Sequence, residues 1–169
     1  KLYTDSLTYL ANKHFILSQE WMPSENMVLP VMMLLRKLKN FSQMSEEQRQ
    51  FLEYWYWASV FAARYSTSSN ETIITDCVVL EQVAAGQRVT ALGYFNRMRP
   101  LVAEPSDLFS YTKKGSLIYK GMLNLLSYAA GGLSDWNSTQ RIDITGHVTN
   151  AFMKSVENGI EYQLSAAEH

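Results

Sequence analysis

An all-α fold, a single helical bundle of about six helices around a central aromatic-rich helix, follows from three features of the 169-residue sequence. Apolar residues recur at helical spacing in five separate stretches, where strands would alternate. Ser45-Glu46-Glu47-Gln48 has the form of a capping box, the strongest helix-start signal in the chain. From Phe51 to Ala63 only Glu53 and Ser59 are polar, so a helix there is apolar on nearly every face and must be covered by others. That run is too short to cross a bilayer, which needs about 20 apolar residues.

Tyr3 to Gln19 reads as the first helix, with Thr4 as N-cap and Leu7, Leu10, Ala11 and His14 on one face. His14 has no partner at ligand spacing and reads as a packed histidine. Trp21-Met22-Pro23-Ser24 breaks the pattern. A second helix lies within Glu25 to Asn40; Pro30 opens it or kinks it, and Val31, Leu34, Leu35 and Leu38 form its stripe. Arg36, Lys37 and Lys39 gather at its C-terminal end, where cations complement the helix dipole. The central helix runs from the Ser45 cap to about Arg64 or Tyr65. Ser66 to Asn70 is a polar turn.

Glu71 to Ala85 is the fourth helix, with Ile73, Cys77, Leu80 and Ala84 on one stripe, Ile74 and Val78 widening it, and Gly86 as its stop. Cys77 on that stripe reads as a buried, inert thiol. Gln87 to Asp107 has no clear period and reads as a surface hairpin with a short helical piece at Leu92, Phe95 and Met98. Its Arg88, Arg97 and Arg99 are interleaved with Tyr94 and Phe95, a composition that also suits stacking on a nucleic-acid strand. Ser116 to Ala130 is the second strong apolar helix, with Ile118, Met122, Leu125 and Ala129 on one face, Leu123 and Leu126 beside it, and Gly131-Gly132 ending it. Lys113, Lys114 and Lys120 sit near its start, the unfavourable end for cations, and so are candidate partner or phosphate contacts together with Arg97 and Arg99. Beyond Leu133 a short extended piece at Arg141–Thr145 precedes a last helix through Val148, Ala151, Phe152, Ser155 and Val156.

Fifteen basic and sixteen acidic side chains leave a net charge of −1, which argues against a polybasic nucleic-acid binder but leaves room for a local basic patch. The one cysteine cannot form an internal disulfide, and a reducing, cytoplasmic setting is the expectation. The glycosylation-type triplets at Asn70 and Asn137 read as accidental. One domain over residues 1–169 is expected, and the opening Lys1 suggests a piece of a longer protein.

The search for chemistry returns no catalytic set. Three histidines, one cysteine and scattered carboxylates have no metal-site spacing, no glycine loop is placed to cradle a phosphate, and no nucleophile elbow occurs. Arg141 and His147 are separated by five residues, which resembles the spacing of HEPN-type helical ribonucleases, although Ile142, Ile144, Thr145 and Gly146 between them form helix poorly.

A sharper likeness lies in Tyr54 to Asp76. Trp55-Tyr56-Trp57, Ser59, Phe61, Arg64-Tyr65-Ser66 and Asp76 resemble the helical part of domain-of-unknown-function family 262, the GmrSD-type restriction endonucleases. Leu29-Pro30, Ile118-Tyr119-Lys120-Gly121-Met122-Leu123, and Asp135-Trp136 followed by Arg141-Ile142 are similar to later and earlier parts of that family. The resemblance implies a bacterial anti-phage protein with a ParB-like nucleotide-hydrolysing domain before this region and a His-rich HNH-type nuclease domain after it. This chain contains neither the Asp-Gly-Gln-Gln-Arg motif nor the His-His-Ile-Phe-Pro motif, so no catalytic residue of the family maps onto it. The expected role is a non-catalytic helical scaffold that needs no cofactor or metal, partnered by flanking domains of the same polypeptide and by DNA, with no membrane partner. A HEPN-like ribonuclease or a stand-alone nucleic-acid or protein-binding module are the alternatives. From the residues themselves, Arg64 follows an apolar helix and would be costly to bury unpaired, which predicts an Arg64–Asp76 ion pair clamping two helices.

Overall fold

The computed structural model describes residues 1–16, 19–66 and 70–132, and among these the chain is all-α, as the sequence predicts. Six α-helices are formed: α1 (Leu2–Lys13), α2 (Val28–Leu38), α3 (Glu46–Phe61), α4 (Asn70–Ala84), α5 (Leu92–Asn96) and α6 (Leu117–Ala129). Short 3-10 turns precede α2 and α3 and follow α5, the last at Pro105–Ser110. By contact the chain groups into two units, Lys1–Leu7 with Pro23–Gly121, and Thr8–Met22 with the chain from Met122. No helix among the described residues is long and apolar enough to cross a membrane. Arg141, His147 and the expected last helix lie outside the described residues.

Four of the helices, α1, α3, α4 and α6, end by one device. Ile16 N–H reaches Ala11 O, Arg64 N–H reaches Ser59 O, Gln87 N–H reaches Gln82 O and Gly132 N–H reaches Ser127 O, each closing five residues back. This is the Schellman geometry, and it requires a left-handed residue just past the helix. Gly86 (φ 77°) and Gly131 (φ 68°) supply it where the sequence announces a stop. Phe15 (φ 53°) and Ala63 (φ 50°) supply it at non-glycine positions, so α1 ends at Lys13 and α3 at Phe61, earlier than periodicity suggests. Thr4 lies inside α1 and is not its cap. The α1 face of Leu7, Leu10, Ala11 and His14 is buried as expected; His14 Nδ1 lies 3.1 Å from Leu10 O, which places the ring proton on Nδ1.

In the first unit α2 packs along α4, and Val31, Leu34 and Leu35 are its buried stripe. Pro30 sits in the first turn of α2 and opens the helix. The capping box at Ser45 forms with both reciprocal bonds, and the Gln48 amide also donates to Val83 O and Ala84 O, joining the start of α3 to the end of α4. Trp55 and Tyr56 are fully buried, so α3 does carry the aromatic core; Trp57 is half-buried, stacked on Phe61, and Tyr54 is exposed.

Two apolar stripes differ from expectation. On α4 the inward residues are Asp76, Val79, Leu80, Val83 and Ala84, while Ile74 (66% exposed) and Val78 (51%) face out. The helix is turned to bring Asp76 inward, because a buried guanidinium needs that carboxylate more than the core needs two aliphatic side chains. On α6 the inward row is Leu117, Ile118, Gly121, Asn124 and Ser127, and Leu125, Leu126 and Ala129 are exposed.

Gly121 explains the first part of that row. A Cβ built on it would collide with Val60 Cγ1 of α3, so the missing side chain is what lets the backbone come this close. In a helix interior Gly→Ala ordinarily gains about 1 kcal/mol. Here the added methyl meets a β-branched side chain with one favoured rotamer. Gly121→Ala is therefore expected to destabilise by about 1–3 kcal/mol in urea unfolding, with part of the loss recovered in Gly121→Ala/Val60→Ala. A net gain in stability would show that α3 and α6 do not approach here.

Candidate functional site

Four elements deliver polar side chains to one buried point. Trp55 and Ser59 stand four residues apart on α3 and so share a face. The left-handed turn at Ala63 redirects the chain so that Arg64 and Tyr65 return toward that face. The α4 helix supplies Asp76 and the short α5 supplies Tyr94.

Asp76 has no solvent exposure. Its Oδ1 accepts from Arg64 Nη2 at 2.8 Å and from Tyr94 OH at 3.0 Å. Its Oδ2 accepts from Trp55 Nε1 at 2.8 Å, Arg64 Nη1 at 3.0 Å and Tyr65 OH at 2.5 Å. The Arg64–Asp76 clamp expected from sequence is thus present, as a two-pronged pair in which each guanidinium nitrogen takes its own oxygen. Arg64 Nη1 also donates to Ser59 Oγ at 3.0 Å, and the guanidinium carbon lies 5.2 Å from the centre of the Tyr94 ring. The Arg64 side chain is 6% exposed.

Burial opposes the charged form of Arg64, but the hydrogen bonds and charge of Asp76 overcome it and hold the guanidinium above its ordinary value. Burial first, and the Asp76 charge second, push both the Tyr65 and Tyr94 phenols well above theirs. Every proton in the cluster is therefore held in place: a cationic guanidinium and two neutral phenols around the carboxylate. A carboxylate has about four lone-pair sites. Five donor contacts occupy Asp76 completely, leaving it no free oxygen with which to take a proton from a substrate or to ligate an ion. The arrangement clamps α3, α4 and α5.

The remaining residues of the motif fall around this point. Tyr56 is buried with its ring edge-on to Trp57 at 5.0 Å, and Ser66 is exposed, its hydroxyl donating to Ala63 O at 2.7 Å. The basic residues do not join the cluster. Arg97 pairs with Glu71 at 3.3 Å, Arg99, Lys113 and Lys114 are exposed, and Lys120 is half-buried. The sequence predicts Tyr94 as an aromatic among arginines on a surface hairpin. Instead it is buried on α5 as part of the Asp76 cluster, and no strand forms among the described residues. Cys77, expected to be buried, is half-exposed; burial and then the neighbouring Asp76 raise its thiol above the ordinary value, which leaves it a poor nucleophile. Among the described residues no three His, Cys, Asp or Glu side chains gather as metal ligands would.

Comparison with family models, with curated proteins and with solved structures finds no match to this chain. The Asp76 cluster therefore stands on its own geometry.

Proposed function

We propose that this chain is a non-catalytic helical scaffold from a GmrSD-like anti-phage restriction protein of the bacterial cytoplasm, joining a ParB-like nucleotide-hydrolysing domain to an HNH-type DNA nuclease domain. The supporting observation is that the side chains carrying the resemblance (Trp55, Arg64, Tyr65 and Asp76) are consumed by one another in a buried cluster. Residues held for architecture are what a connecting domain requires, because coupling between two catalytic domains is transmitted through rigid packed elements. Cofactor and substrate chemistry would then belong to the flanking domains.

Reading the coding sequence on both sides of this chain tests the proposal directly. An in-frame Asp-Gly-Gln-Gln-Arg motif before it and a His-rich nuclease motif after it are expected. Stop codons close to both ends would overturn it. The chain by itself is also expected to hydrolyse neither nucleotide nor modified DNA. Ribonuclease turnover that disappears in Arg141→Ala and His147→Ala would replace the scaffold with a HEPN-like enzyme.

A further inference from the structure

We infer that the surface of the first unit built from residues 99–116 binds single-stranded nucleic acid, with Arg99, Lys113 and Lys114 against phosphates and Phe109 and Tyr111 stacking on bases.

Charge is the first argument. Between Gln87 and Lys120 six basic side chains accompany two acidic ones, in a chain whose net charge is −1. Arg36, Arg49, Arg64, Arg88 and Arg97 each have a carboxylate partner, whereas Arg99, Lys113 and Lys114 are exposed without an ion pair among the described residues. One of the two acidic residues is turned away from this role. Asp107 accepts from Ala103 N and Glu104 N, both at 2.9 Å, and those two bonds hold its carboxyl below the usual carboxylate range.

Presentation of the aromatics is the second. Phe109 is 84% exposed, and it stands on the 3-10 turn Pro105–Ser110 that Asp107 caps. The chain is also tied on either side of this turn, since Tyr111 N donates to Leu108 O at 3.0 Å and Leu101 N donates to Phe61 O at 2.9 Å. A phenyl ring held out in water by a braced turn is positioned to stack, and base stacking tolerates any sequence.

Space is the third. Beside Tyr111 and Lys113 opens a cavity of about 420 Å³, whose other walls include Pro23, Tyr65, Ser66, Leu117 and Ile118. That volume lies in the range of small-ligand sites and suits one splayed nucleoside. Ser66, Ser116 and Lys113 supply its polar side, and Pro23, Leu117 and Ile118 its apolar one. A lipid surface would ask instead for a broad apolar face. Between Arg99 and Ser116 only Leu101 and Phe109 are exposed large apolar side chains. Tyr65 both lines this cavity and donates to Asp76, but none of the five residues proposed to contact the strand belongs to the clamp, so the scaffold reading survives if this one fails.

Fluorescence anisotropy of the whole chain with labelled oligothymidylate of about 16 nucleotides tests the site. Binding is expected to weaken from about 50 to 200 mM salt with a logarithmic slope near −2, as three neutralised phosphates would give. Lys113→Glu/Lys114→Glu should lower affinity about tenfold or more and flatten that slope. Phe109→Ala should lower affinity about 5- to 100-fold at unchanged slope and unchanged melting temperature. Binding of oligouridylate in place of oligothymidylate supports the same site with RNA as the strand. No association at about 50 mM salt overturns the proposal. So does duplex binding that ignores Phe109, which would be simple charge attraction, and so does Phe109-dependent binding to phosphatidylserine vesicles with none to either oligomer.

Discussion

Asp76→Ala is expected to remove about 3–5 kcal/mol of stability, the range for breaking a buried pair and stranding its partner charge. Whole domains hold only about 5–15 kcal/mol, so the variant should be largely unfolded near physiological temperature. The magnitude follows from what is left behind. Without the carboxylate, the Trp55 indole N–H and the Tyr65 and Tyr94 hydroxyls lose their Asp76 acceptor, and the Arg64 guanidinium keeps only Ser59 Oγ and no counter-charge. Each stranded donor adds a desolvation penalty of about 1–3 kcal/mol unless the site relaxes or admits water. Asp76→Asn should do little better, since it removes the charge and turns an amide donor toward a ring of donors.

The exposed Arg36–Glu81 pair is the internal control. Its 3.0 Å separation is close to that of the buried pair, but its side chains are 55% and 44% exposed. Glu81→Ala should therefore change stability by no more than about 1 kcal/mol. A double-mutant cycle of Arg64→Ala with Asp76→Ala should return a coupling of roughly 2 kcal/mol, near the upper part of the range for residues in one network. If urea unfolding finds Asp76→Ala as mild as Glu81→Ala, the clamp does not hold the fold.

Half of this cluster is legible in the amino-acid sequence. A lone arginine after an apolar helix must find an acid, and Asp76 is the nearest one that a following helix can turn inward. Trp55 is visible as a core residue, but not as a donor, because a hydrogen bond across 21 residues has no local signature. Tyr94 is missed altogether. It lies on a helix of five residues, too short to show a period, and only tertiary contact fixes its direction. The same limit governs α4. Hydrophobic spacing alone places Ile74 and Val78 inside, whereas the pairing demand of Arg64 rotates them outward. Helix starts are readable where a side chain makes the cap, as at Ser45. Helix ends are readable only where glycine marks them, so Ala63 and Phe15 pass unnoticed although they do the work of Gly86 and Gly131.

Alkaline pH offers a second large effect, because both phenols of the cluster are held protonated by the fold. In the unfolded chain a tyrosine loses its proton near about pH 10. In the native state burial, and then the Asp76 charge, keep Tyr65 and Tyr94 neutral well above that point. Their contribution to stability is thus fully present below about pH 10 and declines above it, where the unfolded chain alone releases protons. Two such groups give a slope of about 2.7 kcal/mol per pH unit, hence a loss of about 4 kcal/mol by about pH 11.5. Cys77, also raised, adds a further decline that begins near about pH 8.5. Urea titrations across this range should show the midpoint falling, and Tyr94→Phe should make the fall shallower by about one proton. Absorbance of tyrosinate distinguishes cause from accompaniment. The Tyr65 and Tyr94 phenols should ionise only together with unfolding, as a step in the tyrosinate signal that coincides with it. A chain that shows all its phenols ionised near about pH 10 while its near-ultraviolet dichroism stays native would place Tyr65 and Tyr94 in water, and the Asp76 cluster with them.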